Sequence, residues 1–330
     1  MQKKIDGDTV RWGIIGVGNV CEVKSAPAMY KLDRSKVVAV MRRNGEKAVD
    51  FAQRHHIDKW YNDASRLIND PDVNAVYIAT PPNVHQELAE MVAKAGNPAY
   101  VEKPMARTYE ECQKMVSAFE KYNQPLYVAY YRRALPNFLK VKELVESGSI
   151  GDVRMINIEM IKPIRPDVIT HLEDNWRVNP DIAGGGYFFD LASHQLDYLD
   201  FLFGPVQEAS GISINQTGNY PADDMTLATF SFDDGVVGSG TWCFTAGQTV
   251  DKEITTIIGS KGHITYGTFD NSVVSWETEE GKRSEEFTMP DHIQQPLIQQ
   301  VVDDLLGTGE CVSNGVSAAR TNKVMEQIVS

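Results

Sequence analysis

Lys103, Asp190 and His194 are the residues of this 330-residue chain whose types and settings best suit proton-transfer chemistry. Lys103 stands between Glu102 and Pro104, where an expected strand ends and the following proline keeps the backbone extended. An ammonium there can hydrogen-bond an alcohol oxygen and stabilise charge developing on it; an exposed loop lysine fits the same spacing. Asp190, His194 and Asp197, four and three residues apart, share one face of a helix expected over 187–203. Histidine is the natural proton acceptor near neutral pH. Asp190 can orient it or hold a substrate hydroxyl, and Asp197 takes no assigned part. A plain amphipathic helix with a polar face accounts for the same pattern. Gly184-Gly185-Gly186 just ahead would let the backbone come close to a bound ligand.

A second constellation concerns phosphate. Gly16-Val17-Gly18-Asn19-Val20-Cys21 reads Gly-x-Gly-x-x-small between an expected strand and an expected helix. The first glycine permits a tight turn, and the second lets the backbone approach a pyrophosphate at the positive end of the helix dipole. Cys21 is small enough for helix–strand packing. About 20 residues on, an acidic residue would bond the ribose 2′-hydroxyl of NAD. The chain has Met41-Arg42-Arg43-Asn44 there instead. Two guanidiniums suit a 2′-phosphate, which favours NADP(H) over NAD(H), although a solvated Arg pair at a strand end is also common. The next strand end carries Thr80-Pro81-Pro82-Asn83-Val84-His85, with Thr80 and Asn83 as polar candidates and Asn83 equally able to cap a helix.

These residues need elements to position them. Apolar runs at Val10–Ile15, Val37–Met41, Ala75–Ala79, Tyr100–Glu102 and Leu126–Tyr130 barely alternate, as strands covered on both faces do. Helical patterns at 19–31, 46–56, 63–69, 84–95, 109–122 and 136–147 separate or follow them. Beyond residue 150 the pattern changes to longer strands over 152–162 and 206–290, and Met225–Phe232 alternates with period two. Helices are expected again at 292–306 and 315–329. The fold class is α/β: a dinucleotide-type domain with a parallel sheet over 1–127, then an α+β domain on an antiparallel sheet over 128–330.

Composition narrows the function. A net charge of −13 disfavours nucleic-acid binding. No apolar run reaches the roughly 18 residues of a membrane span, and the N-terminus does not read as a signal peptide, so a cytoplasmic location is expected. Cys21, Cys112, Cys243 and Cys311 form no close pair, so neither a disulfide framework nor a metal site is expected.

Taken together the chain resembles the Gfo/Idh/MocA family, the glucose–fructose oxidoreductase and myo-inositol dehydrogenase group. The resemblance rests on Gly16-Val17-Gly18, Ala79-Thr80-Pro81-Pro82-Asn83-Val84-His85, Glu102-Lys103-Pro104, Tyr131-Arg132-Arg133, Trp176-Arg177 and Gly184-Gly185-Gly186 followed by Asp190-x-x-x-His194. It implies a Rossmann domain and a second domain with a large, open, mostly antiparallel sheet, through which members form dimers or tetramers. It implies that Lys103 lies beside the nicotinamide, that His194 carries the proton and that Asp190 is its partner in substrate binding. Arg132, Trp176 and Arg177 would line the cofactor or substrate pocket. Gly16, Gly18, Asn19, Val20, Arg42, Arg43, Thr80, Pro81, Asn83, His85, Glu102 and Lys103 form the expected cofactor-binding set. The implied activity is hydride transfer between NADP(H) and a sugar or polyol. A dihydrodiol or xylose dehydrogenase, an NAD-using glycosidase and a non-catalytic nucleotide sensor remain alternatives on the same scaffold. A tyrosine usual near the penultimate helix has no counterpart; His292 stands near there, at an expected surface helix start.

Overall fold

The computed structural model describes residues 4–164, 175–269 and 272–330. The chain divides into two compact units, each assembled from separate stretches. The first comprises 1–106, 110–131 and 290–319; the second comprises 107–109, 132–289 and 320–330.

The first unit holds a six-stranded sheet: β1 (Val10–Ile15), β2 (Ser35–Met41), β3 (Lys59–Tyr61), β4 (Ala75–Ile78), β5 (Ala99–Val101) and β6 (Leu126–Val128). Its order is β3-β2-β1-β4-β5-β6 and every pairing is parallel. That is the Rossmann order, and its strand sequence reverses direction between β1 and β4, the point at which open sheets of this kind take their ligands. Burial of Ile14, Ile15, Val76, Ile78 and Val101 on both sides explains why these runs do not alternate. The short strand β3 escaped the sequence reading. It is a three-residue edge strand, Lys-Trp-Tyr, whose lysine is held by Asp70 and Asp72, so it carries no apolar signature.

The helix expected over 19–31 forms, with a π-helical turn at Cys21–Ser25 leading into Ala26–Lys31. The helix His85–Lys94 stops where Gly96 takes a φ of +80°, a conformation glycine adopts at little cost. Asn83 does not cap that helix; its side chain is exposed and no side chain makes the cap bond.

The second unit is built on β7 (Val153–Pro163), β8 (Val206–Ile214), β9 (Met225–Phe232), β10 (Val237–Ala246), β11 (Lys252–Gly259), β12 (Gly262–Tyr266), β13 (Val273–Thr278) and β14 (Gly281–Glu286). The order is β14-β13-β12-β11-β7-β10-β9-β8, with β7 and β10 parallel and the other pairs antiparallel. One face is buried: Ile156, Ile158 and Met160 alternate inward with Trp242 and Phe244. Phe188 packs edge-on against Trp242, and Tyr198 against Tyr266, so the helical segment bearing both covers this face. The other face leaves Ile212 beside Leu227 and Met155 beside Val237, all four exposed.

Candidate active site

In the first unit the phosphate loop follows β1 directly. Gly16 has φ +95°, and a Cβ there would lie 2.8 Å from Thr80 Cγ2 and 2.9 Å from the Ala79 carbonyl carbon. Gly16 is therefore required by the protein's own packing. Gly18 is different, because a Cβ there would meet only the Gly16 carbonyl oxygen, at 4.0 Å. None of the described residues forbids a side chain at 18, so glycine there leaves room beside the loop. Thr80 Oγ1, across the loop, is buried and has no hydrogen-bond partner among the described residues. An open glycine, a helix start at Asn19 and an orphaned hydroxyl together fit a pyrophosphate.

At the end of β2, Arg42 Nη1 donates to the Val17 carbonyl at 3.0 Å, which lays the guanidinium along the phosphate loop. Arg43 is exposed beside it, and Asn44 caps the next helix by accepting from Lys47 N. Cys21 is wholly buried, and burial pushes its thiol up to about 12, so it packs as a neutral group.

His85 is also wholly buried. Its Nε2 lies 2.7 Å from the Thr80 carbonyl and its Nδ1 lies 3.1 Å from that of Met105. Burial lowers its pKa, so the ring is neutral with one N–H to give, and the shorter contact is to Thr80. Both nitrogens face the protein's own main chain, so His85 braces the Thr80 turn against the segment behind Lys103. Pro81 opens that turn and is half-buried. Glu102 is buried at the end of β5, and Lys103 beside it is half-buried.

In the second unit the helix expected over 187–203 is not uniform. It begins with a π-helical turn at Phe188–Ala192 and continues as Ser193–Phe203. A π turn bonds i to i+5 rather than i+4. The four-residue gap from Asp190 to His194 therefore does not stack the two as an α-helix would. Asp190 lies 3.2 Å from Arg177 Nε, and the Arg177 guanidinium sits 4.6 Å from the Trp176 ring centroid. Trp176, Arg177 and Asp190 are thus one group. His194 is buried, with its ring edge-on to Phe269 at 5.8 Å. Arg132, also buried, stacks on Phe269 at 4.2 Å and donates from Nε to the Thr268 carbonyl at 2.8 Å.

Two sequence expectations change here. The run Gly184-Gly185-Gly186 is packed by the protein itself. Added Cβ atoms would lie 2.7 Å from the Arg107 carbonyl oxygen, 2.1 Å from the Phe189 ring and 2.5 Å from Ala222 Cβ, so these glycines admit neighbouring protein rather than a ligand. Asp197 shares a buried ion pair with Arg133 at 2.7 Å, and Arg133 also reaches Asp200, which Arg320 holds at 2.7 Å. Burial pushes the Asp197 carboxyl up to about 6 although Arg133 pulls it down. Its neighbours are framework groups. His292 bonds Lys31 Nζ and the Val23 carbonyl in the first unit.

Sequence reasoning missed Glu253. Its carboxylate accepts from Thr268 N at 2.7 Å, Phe269 N at 3.0 Å and Gln195 Nε2 at 3.2 Å, so it ties the His194 helix to the loop bearing Phe269. It also missed Gln294, which bonds Glu102 at 2.7 Å. No local spacing could reveal either, because most of their partners lie 58 to 194 residues away. Among the described residues no cluster of three His, Cys, Asp or Glu side chains could hold a metal, and no helix is long and apolar enough to cross a membrane.

Residues 10–130 match the family described as an oxidoreductase family with an NAD-binding Rossmann fold, and residues 138–265 match the GFO/IDH/MocA C-terminal domain. The chain belongs to the Gfo/Idh/MocA oxidoreductase family. It is 40% identical over 96% of its length to Oxidoreductase P35 of Formosa agariphila, 97% of which is covered. It is 26% identical over 84% of its length to the myo-inositol 2-dehydrogenase of Thermotoga maritima, 81% of which is covered. Levoglucosan dehydrogenase in complex with NADH and levoglucosan superposes with a TM-score of 0.86 over 97% of this chain and 96% of that one, at 22% identity, which establishes a shared fold. This Gfo/Idh/MocA member is accordingly an NAD(P)-dependent oxidoreductase.

Proposed function

We propose that this enzyme is an NADP(H)-dependent dehydrogenase of a sugar or polyol, with residues 1–127 serving the cofactor and 128–330 the substrate. The observation that carries the cofactor choice is Arg42, laid along the phosphate loop at the end of β2 with Arg43 next to it and no carboxylate at that strand end. A 2′-phosphate would find two guanidiniums there, whereas a bare 2′-hydroxyl would find no acceptor carboxylate. The substrate class rests on relatives named for myo-inositol and levoglucosan. It rests also on the grouping of Asp190, Arg177 and Trp176, a polar pair beside an aromatic face.

Thr80 Oγ1 and the amides after Gly18 would hold the pyrophosphate. When bound, the nicotinamide supplies the hydride acceptor. On this reading His194 is the group that takes the proton from the substrate hydroxyl, and Lys103 is a hydrogen-bond donor for negative charge that builds on oxygen. Asp190 holds a neighbouring hydroxyl, steadied by Arg177. In the reducing direction His194 returns the proton. We also take the exposed sheet face with Ile212, Leu227 and Val237 as the place where copies of the chain meet in a homodimer or homotetramer. A single-chain mass by sedimentation equilibrium would end that part of the reading.

The test is a fluorescence titration with NADPH and, in parallel, NADH. NADPH is expected to bind at least about tenfold more tightly, and Arg42→Asp to abolish that difference. A preference for NADH would overturn the arginine argument and leave the family assignment standing.

A further inference from the structure

We propose that Gln294 is a positioning residue for Lys103, acting through the Glu102 carboxylate; this rests on the role given above to Lys103. Gln294 lies just before the helix Gln295–Leu305 and is 1% exposed. Its Nε2 donates to Glu102 Oε1 at 2.7 Å, and its Oε1 accepts from the Tyr100 hydroxyl at 3.0 Å. Tyr77, paired with Tyr100 across β4 and β5 and stacked on it at 5.1 Å, donates to the same Oε1 of Glu102 at 2.5 Å. The other oxygen, Oε2, accepts from the main-chain N–H of Lys103 at 3.3 Å.

The physics makes this more than packing. A buried carboxylate needs donors to replace the hydrogen bonds it gave up with water. Here the donors are a hydroxyl, a side-chain amide and a main-chain amide. Burial, reinforced by the charge of Glu102, raises both tyrosine pKa values well above normal, so Tyr77 and Tyr100 remain donors. Cys21, facing Glu102 from the helix after the glycine loop, is kept protonated, and His85, facing it from the start of the helix His85–Lys94, is kept neutral. Because Tyr100 donates to the amide oxygen, the amide nitrogen must point at Glu102. One carboxylate rotamer is thereby selected, and that rotamer offers Oε2 to Lys103. Without Gln294 the carboxylate keeps the Tyr77 hydroxyl but loses the donor that fixes its rotamer, and its bond to the Lys103 N–H is weakened.

The experiment follows amide hydrogen exchange at Lys103 residue by residue by NMR, expressed as protection relative to an unstructured peptide at the same pH. Full-length wild type, Gln294→Met and Gln294→Glu are compared. Gln294→Met keeps the volume and removes both bonds, and is expected to lower protection at Lys103 about tenfold while amides in β7 and β10 are unchanged. Gln294→Glu places two carboxyls in contact, which share one proton. Below the raised pKa of that pair the protonated partner donates to Glu102 and protection stays near wild type. As pH rises through that pKa both ionise, repel, and protection falls. A merely space-filling role would leave Lys103 protected in Gln294→Met and flat with pH in Gln294→Glu; either result, or an equal loss across the whole first unit, overturns the proposal. If Gln294→Met does not fold, the pH profile of Gln294→Glu decides alone. A parallel NADPH titration of wild type and Lys103→Met separates the two readings. Wild type that binds no NADPH refutes the assigned function, while the exchange result still decides the part played by Gln294.

Discussion

Two glycine turns in this molecule look alike in sequence and exist for opposite reasons. Gly184 has φ +89° and its missing side chain is replaced by the Arg107 backbone, while Gly185 and Gly186 are filled by Phe189 and Ala222. Gly18 has no such neighbour. The first turn is glycine because the protein is dense there, as it is at Gly16, whereas Gly18 borders open space. Two of the buried carboxylates, Asp197 and Glu102, differ in a parallel way. Asp197 is neutralised by Arg133 in a network that also ties in Asp200 and Arg320, whereas Glu102 is held by neutral donors beside the candidate catalytic lysine. A site leaves room and potential unspent, and a framework saturates both.

The contrast can be broken most directly at Asp197. Asp197→Ala would take from the buried Arg133 the nearer of the two carboxylates it pairs with, and a stability loss of about 3–5 kcal/mol is expected from urea denaturation. A loss under about 1 kcal/mol would mean that water reaches the cluster and that it is no framework. The glycine pair comes next. Gly184→Ala should cost about 1–3 kcal/mol from backbone strain, before the clash with Arg107 is added. Gly18→Ala should leave stability within about 0.5 kcal/mol of wild type but weaken NADPH binding about tenfold or more. If instead Gly18→Ala loses more than about 1 kcal/mol of stability, or binds NADPH as tightly as wild type, the open-space argument fails.

The smallest effect sharpens the buried pair by comparison with an exposed one. Glu22, 30% exposed, accepts from Arg54 at 2.6 Å and from His55, and chiefly the Arg54 hydrogen bonds hold its carboxyl down at about 2. A depressed carboxyl stabilises the fold above its unfolded pKa and loses that contribution as pH falls through the folded value. Wild type should therefore exceed Glu22→Gln by less than about 1 kcal/mol at neutral pH, because solvent screens the pair. The difference should shrink from about pH 4.5 towards pH 2. A gap that persists at pH 2 would point to packing instead.

Much of this could be read before any coordinates. The run Val10–Ile15 followed by Gly16-Val17-Gly18 forms the first strand and a glycine turn as expected, because strand and turn are specified by neighbours in the chain. The helix at 315–329 also forms with the bounds expected. What failed had its cause at a distance or in degenerate geometry. The strand Lys59–Tyr61 has too few residues to show a period. The π turn at Phe188–Ala192 uses ordinary helix-forming residues. Asp197 was legible as polar on a helix face, but its partner Arg133 is 64 residues away.

The amino-acid sequence by itself determined the strand–helix alternation of the first unit apart from Lys59–Tyr61, the glycine loop after β1, the arginines after β2 and the Glu102-Lys103-Pro104 strand end. These depend on local periodicity, on turn chemistry and on residue type at short spacing, which the chain carries along its length. Only the tertiary structure decided which glycines face protein and which face open space, and which carboxylate is neutralised by arginine. It alone brought Gln294 to Glu102 and Glu253 to the Phe269 loop. Those outcomes depend on the three-dimensional distance between groups far apart in sequence, a quantity that no local pattern encodes.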